Sequence, residues 1–147
     1  MNLYFDIDGV LKGAASPKAD IEALILYCIQ HYPHTTYWLT THCKGGVNRT
    51  RSALVGVLPD KLLKQVEESF QPTDWDVLKT DTIDFSKPFV WFDDTVLRAE
   101  LDVMDKKMPK DATYGLFLCD KHDSSAAKDT LDYLKQMENT LKSKFND

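Results

Sequence analysis

Two acidic clusters stand out in the sequence, and each follows a short apolar run. Asp6 and Asp8 follow residues 3–5, and Asp93 and Asp94 follow residues 89–92. Carboxylates at the ends of neighbouring strands repel one another unless a cation lies between them. Mg²⁺ prefers oxygen ligands and takes only a few carboxylates, so that waters and substrate phosphate complete its shell. These acids therefore predict a Mg²⁺ site.

The spacing within the first cluster favours a shared site. Side chains two residues apart on extended backbone point the same way, so Asp6 and Asp8 can reach one site while Ile7 packs away from it. Gly9 gives the chain the freedom to turn immediately afterwards. Acids at strand ends are also common turn residues. The second acidic pair, with a threonine and a lysine between the two clusters, favours the site over that alternative.

Apolar runs and helical patterns alternate along the chain, and their order predicts the scaffold. The predicted strands are residues 3–5, 36–39, 89–92 and 114–119. Helical spacing predicts helices around residues 21–29, 59–70, 96–104 and 123–141. This alternation predicts one α/β domain over residues 1–147, with a three-layer, doubly wound, mainly parallel sheet. Ligands of such sheets bind at the carboxyl ends of the strands, where the acids stand.

Composition limits the classes of function. A chain of 147 residues with 43% apolar and 28% charged residues can bury a real core. The net charge of −5 argues against a nucleic-acid partner. The start does not resemble a signal peptide, and no run approaches the roughly 20 apolar residues of a membrane span. Three widely spaced cysteines, Cys28, Cys43 and Cys119, predict reduced thiols and a cytoplasmic location.

Four segments resemble, in order, the motifs of the haloacid dehalogenase-like (HAD) superfamily. Residues 3–11, LYFDIDGVL, resemble the first motif, and residues 38–40, WLT, resemble the second. Lys79 stands where the third-motif lysine falls, and residues 89–94, FVWFDD, resemble the fourth motif in its two-acid form. The resemblance covers about residues 3–120 and implies a HAD-like Rossmannoid fold.

The resemblance also implies an activity, that of a Mg²⁺-dependent phosphatase. Asp6 would attack phosphorus and form an aspartyl-phosphate, while Asp8 would protonate the leaving oxygen and then activate water. An acid at position 8 favours a phosphatase over a dehalogenase, which needs no leaving-group acid there. The implied phosphate ligands are Thr40, Thr41 and Lys79, and the implied metal ligands are Asp6, Asp8 (through its backbone carbonyl), Asp93 and Asp94.

Lys87 is the alternative to Lys79 as the lysine that neutralises phosphate. It lies only six residues before Asp93. A strand of that length carries it to the edge of the sheet opposite the site. Lys79 is therefore preferred.

Residues 42–50, HCKGGVNRT, support a different chemistry. They resemble the phosphate loop of cysteine-dependent tyrosine and dual-specificity phosphatases, in which Cys43 would attack phosphorus while loop amides and Arg49 hold its oxygens. This loop lies earlier than those enzymes usually place it, a Trp-Pro-Asp type acid loop is missing, and the four acids would be unexplained. Aspartate chemistry is therefore preferred. A third alternative, a catalytically idle binding protein of the same fold, is disfavoured by the intact acids.

The spacing of the motifs bears on the substrate. Only 31 residues separate Asp8 from Thr40, and 38 separate Thr40 from Lys79. These segments are too short for a large cap domain, so the resemblance implies an open site with a minimal cap or none. The partner expected is a phosphorylated substrate, whose size is left open, as is the oligomeric state.

Overall fold

The centre of the fold is a five-stranded sheet. The computed structural model describes residues 1–146, with side chains through residue 144. The strands are β1 (Asn2–Phe5), β2 (Thr36–Trp38), β3 (Gln71–Pro72), β4 (Phe89–Asp93) and β5 (Gly115–Leu118). Their order across the sheet is β3-β2-β1-β4-β5, and every described pairing is parallel. The prediction of an α/β fold with a mainly parallel sheet is confirmed.

Strand β1 lies at the centre of the sheet and sets its register. Phe5 pairs with Trp38 on one side and with Phe92 on the other, so the three strands end at the same level. Successive side chains of a strand point to opposite faces. Leu3 and Phe5 accordingly pack in one hydrophobic cluster and Tyr4 in a second one across the sheet.

Helices cover both faces of the sheet. They are α1 (Lys18–His31), α2 (Thr50–Leu54), α3 (Asp60–Ser69), α4 (Arg98–Lys107) and α5 (Ala126–Asn146). Helix α1 contacts both α3 and α5 in the layer over Leu3 and Phe5. Helix α4, through Met104, packs on the opposite face together with a 3-10 turn at Lys79–Thr82. The layers are therefore helix, sheet and helix.

The buried face of α4 is not formed by apolar residues alone. Leu97 and Leu101 are exposed, whereas Met104 is buried. The buried residue near the start of the helix is Glu100, which is 3% exposed. Its carboxylate accepts a hydrogen bond from the amide of Leu97 at 3.0 Å, so it caps the helix that it belongs to.

Two further details were not apparent from apolar spacing. Strand β3 has only two residues, and its edge position tolerates Pro72, which cannot donate to a central ladder. The start of α5 is held from a distance, because the hydroxyl of Ser16 accepts the amide of Ala127 at 2.9 Å. Asp123 accepts a hydrogen bond from the amide of Ser125 just before the helix.

Among residues 1–146, no helix combines the length and the apolar character that crossing a membrane requires.

Candidate active site

The ends of β1 and β4 bring the two acidic clusters together. These strands are neighbours, and Phe5 pairs with Phe92, so the next residues, Asp6 and Asp93, emerge side by side. The amide of Asp6 donates to the carbonyl of Phe92 at 2.9 Å, which extends the ladder up to the acid itself. Parallel pairing thus produces the convergence that the strand-end positions predict.

Three carboxyl groups meet at this edge, those of Asp6, Asp93 and Asp94. One oxygen from each lies within 4.8 Å of the others. Burial, and then the negative charge of Asp93, raise the pKa of Asp6 to about 8, although Lys79 acts in the opposite direction. Burial and a hydrogen bond with Asp93 also raise the pKa of Asp94. The cluster therefore holds more negative charge than its surroundings neutralise.

These three residues fit a hard divalent cation. All their donor atoms are carboxylate oxygens, which Mg²⁺ prefers, and two of the three residues are buried, so solvent does not screen their repulsion. A divalent cation between them would offset the negative charge of Asp93, which adds to burial in raising the pKa of Asp6. The carboxylate of Asp8 is not part of this group.

Lys79 provides positive charge within the cluster. Its Nζ lies 2.7 Å from Oδ2 of Asp93 and 3.6 Å from Oδ2 of Asp6. Burial lowers the pKa of Lys79, but the charges of Asp6 and Asp93 outweigh burial and raise it overall, so the ammonium is retained at neutral pH. Lys87 is exposed at the opposite end of β4. The structure therefore places Lys79, and not Lys87, beside the carboxylates.

The segment that carries Lys79 is held by Glu100 of α4. The backbone amide of Lys79 donates to Oε2 of Glu100 at 2.8 Å, while Oε1 accepts the amide of Leu97. Sequence reasoning missed this residue because the helix was predicted from its apolar positions alone. The signal was present, since a glutamate at the third position of a helix is typical of a capping pattern.

Asp93 is held rigidly. Its Oδ2 accepts the indole N–H of Trp91 at 3.2 Å in addition to Lys79, and its Oδ1 accepts the amide of Thr95 at 3.1 Å. Charge-assisted hydrogen bonds of this kind fix a carboxylate in one orientation. Trp91 is fully buried and also positions an acid of the site.

Asp8 lines the same cleft as Asp6 but faces a different partner. Its Oδ2 lies 2.9 Å from Nε2 of His42, and its side chain is 56% exposed against 9% for Asp6. The two side chains therefore reach one cleft, as their spacing predicts, but Asp6 lies in its floor and Asp8 at its solvent side. This arrangement separates a buried carboxylate from an accessible one.

The two predicted threonines have different positions. Thr40 is fully buried, and its hydroxyl accepts the amide of His42 at 3.3 Å, which caps the 3-10 turn Thr41–Cys43. Its carbonyl accepts the indole N–H of Trp75 at 3.0 Å. Thr41 is exposed and lines the cleft. Of the two hydroxyls, that of Thr41 is the accessible one.

Gly9 makes a close approach that only glycine permits. Its φ is +78°, in the left-handed region. A Cβ atom at this position would overlap the carboxyl group of Asp94. The turn after Asp8 therefore packs directly against the metal-ligand candidate at the end of β4, so Gly9 serves the site as well as the turn.

The loop around Cys43 does not have the features of a thiolate centre. The side chain of Cys43 is fully buried, and burial raises the pKa of its thiol, whereas a nucleophilic thiol needs a lowered pKa. The amides of Gly45, Gly46 and Arg49 donate to backbone carbonyls at 2.7 to 3.1 Å, so they do not face an anion. Arg49 is exposed. This geometry disfavours the cysteine alternative.

A cleft of about 620 Å³ opens over the three carboxylates. Its wall includes the exposed apolar residues Val77 and Leu97 and the indole of Trp75. Lysines also line it; they are Lys12, Lys44, Lys79 and Lys121. The cleft is large compared with a single phosphate group and lies within the usual range of ligand pockets.

Comparison with protein-family models, with curated proteins and with solved structures found no match to this chain.

Proposed function

We propose that this protein is a Mg²⁺-dependent phosphoric monoester hydrolase of the HAD type that acts through an aspartyl-phosphate on Asp6. The observation that carries the proposal is the position of Asp6, a buried carboxylate beside one ammonium and two further carboxylates. The strand order, with β1 in the centre and Asp6 at its carboxyl end, supports a HAD-like scaffold. The predicted location remains the cytoplasm, because the three cysteines are unpaired.

The two oxygens of Asp6 have different partners, which supports one of them as the attacking atom in the proposed reaction. Oδ1 accepts the amide of Ile7 at 2.8 Å, whereas Oδ2 faces Nζ of Lys79. Oδ2 attacks phosphorus, the bond to the ester oxygen breaks, and Asp8 gives that oxygen its proton. Water then attacks phosphorus and gives a proton to Asp8, while the bond to Oδ2 breaks and inorganic phosphate leaves.

Charge stabilisation in this scheme comes from residues around Asp6. Negative charge spreads over the oxygens of the transferring group, and the ammonium of Lys79 lies on the side where Oδ2 attacks. The accessible hydroxyl of Thr41 donates to the same group. Asp6, Asp93 and Asp94 would hold Mg²⁺, which supplies further positive charge and favours the ionised form of the nucleophile.

Hydrolysis of an aryl phosphate in Mg²⁺ tests the proposal and separates it from both alternatives. We expect turnover that is lost in EDTA and in Asp6→Asn and retained in Cys43→Ser. Mass spectrometry of acid-quenched enzyme should find a phosphoryl group on the peptide that contains Asp6. Loss in Cys43→Ser with indifference to EDTA would support the cysteine mechanism, and Mg²⁺ binding without turnover would support an idle binding protein.

A further inference from the structure

Three of the lysines that line the cleft lie outside the carboxylate cluster. Lys12 follows β1, Lys44 follows β2 and Lys121 follows β5. All three are exposed, although the chain as a whole carries a net charge of −5. Within residues 1–146, none of them forms a salt bridge. The rim of an acidic centre is thus positively charged.

Lys12 and Lys121 belong to one wall of the cleft. Their loops are tied together, because the amide of Ala15 donates to the carbonyl of Lys121 at 2.8 Å. The loop of Lys12 is in turn closed by a hydrogen bond from the amide of Gly9 to the carbonyl of Lys12 at 2.7 Å. Two like charges are therefore placed on linked loops of one wall, an arrangement that an anion between them would stabilise.

Lys44 belongs to the opposite wall. Its Nζ lies 5.5 Å from the ring centre of Trp75, and Nζ of Lys79 lies 6.0 Å from the same ring. Lys44 and Lys79 thus lie around the same indole, whereas Lys12 and Lys121 lie on linked loops elsewhere on the rim of the cleft.

We propose that Lys12 and Lys121 form a second phosphate subsite and that the substrates are bisphosphates. One phosphate would reach Asp6, a spacer would cross the cleft of about 620 Å³, and the second phosphate would lie between the two lysines. The position of the first phosphate rests on the proposed function. The subsite itself rests on the charges of Lys12 and Lys121 and on the hydrogen bonds that link their loops, so a binding measurement can test it without turnover.

Binding of alkane bisphosphonates and of monophosphonates with the same chain tests the subsite, because their carbon–phosphorus bonds are not hydrolysed. Calorimetry in Mg²⁺ would be run for the wild type, Lys12→Gln/Lys121→Gln, Lys44→Gln and a control, Lys61→Gln/Lys64→Gln. The control removes the same two charges from α3, outside this cleft. In the wild type we expect about tenfold tighter binding of the best bisphosphonate, as two exposed charge contacts provide.

That preference should vanish in Lys12→Gln/Lys121→Gln and persist in Lys44→Gln, which weakens both ligands alike, and in the control. A wild-type preference no greater than the statistical advantage of two equivalent ends overturns the subsite. The subsite is also overturned if the preference for the bisphosphonate survives in Lys12→Gln/Lys121→Gln, or if it falls by the same factor in the Lys61→Gln/Lys64→Gln control. Aryl phosphate hydrolysis judges the proposed function separately, so either idea can fail while the other stands.

Discussion

His42 Nε2 lies 2.9 Å from Asp8 Oδ2, and this contact joins the loops that follow β1 and β2. The backbone of His42 is itself held, since its amide donates to the hydroxyl of Thr40. The imidazole therefore has a defined position from which to hold the side chain of Asp8. In the proposed mechanism Asp8 moves protons, and its orientation towards the cleft depends on this histidine.

Replacing His42 with alanine should lower kcat about tenfold and leave KM nearly unchanged, because the proton donor loses its orientation while the phosphate ligands remain. Steady-state kinetics on an aryl phosphate would measure both constants. His34→Ala is the control, since His34 is exposed in the turn before β2. A large rise in KM with unchanged kcat would show that His42 binds substrate instead of positioning Asp8.

The buried carboxyl of Asp6 should make the metal-free protein less stable as pH rises. Its folded pKa of about 8 exceeds its ordinary value near 4. The folded state therefore binds more protons than the unfolded state in this window, and the free energy of unfolding falls from about pH 4 to pH 8. Thermal unfolding in EDTA should show this slope in the wild type and a smaller one in Asp6→Asn.

Mg²⁺ should raise the free energy of unfolding, and it should do so most at the high pH where the metal-free protein is least stable. A bound cation favours the ionised carboxylates, so the rise in Tm on adding Mg²⁺ should be larger at pH 8 than at pH 5. An Asp6→Asn protein that keeps the full pH dependence and the full response to Mg²⁺ would contradict this account of the cluster.

Lys79→Met should reduce kcat/KM by about a hundredfold or more, because it removes the ammonium beside Oδ2 of Asp6 from the transition state. Lys87→Met, which removes an exposed charge at the far end of β4, should leave kcat/KM unchanged. Activity assays of the two variants in parallel decide between the two lysines. Equal losses, or a loss only in Lys87→Met, would reject the assignment.

Gly9→Ala should weaken Mg²⁺ binding by about tenfold or more, since the new methyl group displaces the carboxyl of Asp94. Gly13→Ala is a matched control. Gly13 also has a positive φ, +70°, but no atom lies within 4 Å of the position of its Cβ. Both variants carry backbone strain, and only Gly9→Ala should lose affinity in a Mg²⁺ titration followed by Tm.

Thr41→Val should lower kcat/KM by about tenfold with little change in Tm, because it deletes a hydroxyl exposed to the cleft. Thr40→Val should instead destabilise the protein by about 1 kcal/mol, since it removes the cap of the turn at Thr41–Cys43. Kinetics and thermal unfolding of the pair separate the two roles. A loss of activity in Thr40→Val without a loss of stability would return the phosphate contact to Thr40.

The parts of the site that follow from strand positions could be predicted from the sequence. Asp6 and Asp93 end adjacent parallel strands, and apolar runs mark those ends in the sequence. Lys79 required a resemblance, because it lies in a 3-10 turn without a pattern of its own. The pairing of Asp8 with His42 depends on the conformation of two loops, and no pattern in the sequence indicates it.

The burial of Glu100 in α4 was missed for a related reason. Apolar spacing weighs only the transfer of side chains from water, so it gives no sign that a glutamate is buried while Leu97 and Leu101 are exposed. Glu100 is buried because two backbone amides offset the cost of taking its charge out of water. A pattern of hydrophobicity cannot represent such a compensation, since the second amide, that of Lys79, is 21 residues away in the chain.

Glu100 accepts hydrogen bonds from two backbone amides, and these bonds link α4 to the candidate site. The same side chain caps α4 and holds the backbone of the turn that carries Lys79. The ammonium of Lys79 in turn contacts Asp93 and Asp6 at the ends of β4 and β1. Glu100 thus begins a polar path from a peripheral helix to the sheet, and a change in the seating of that helix would reach the proposed nucleophile through Lys79.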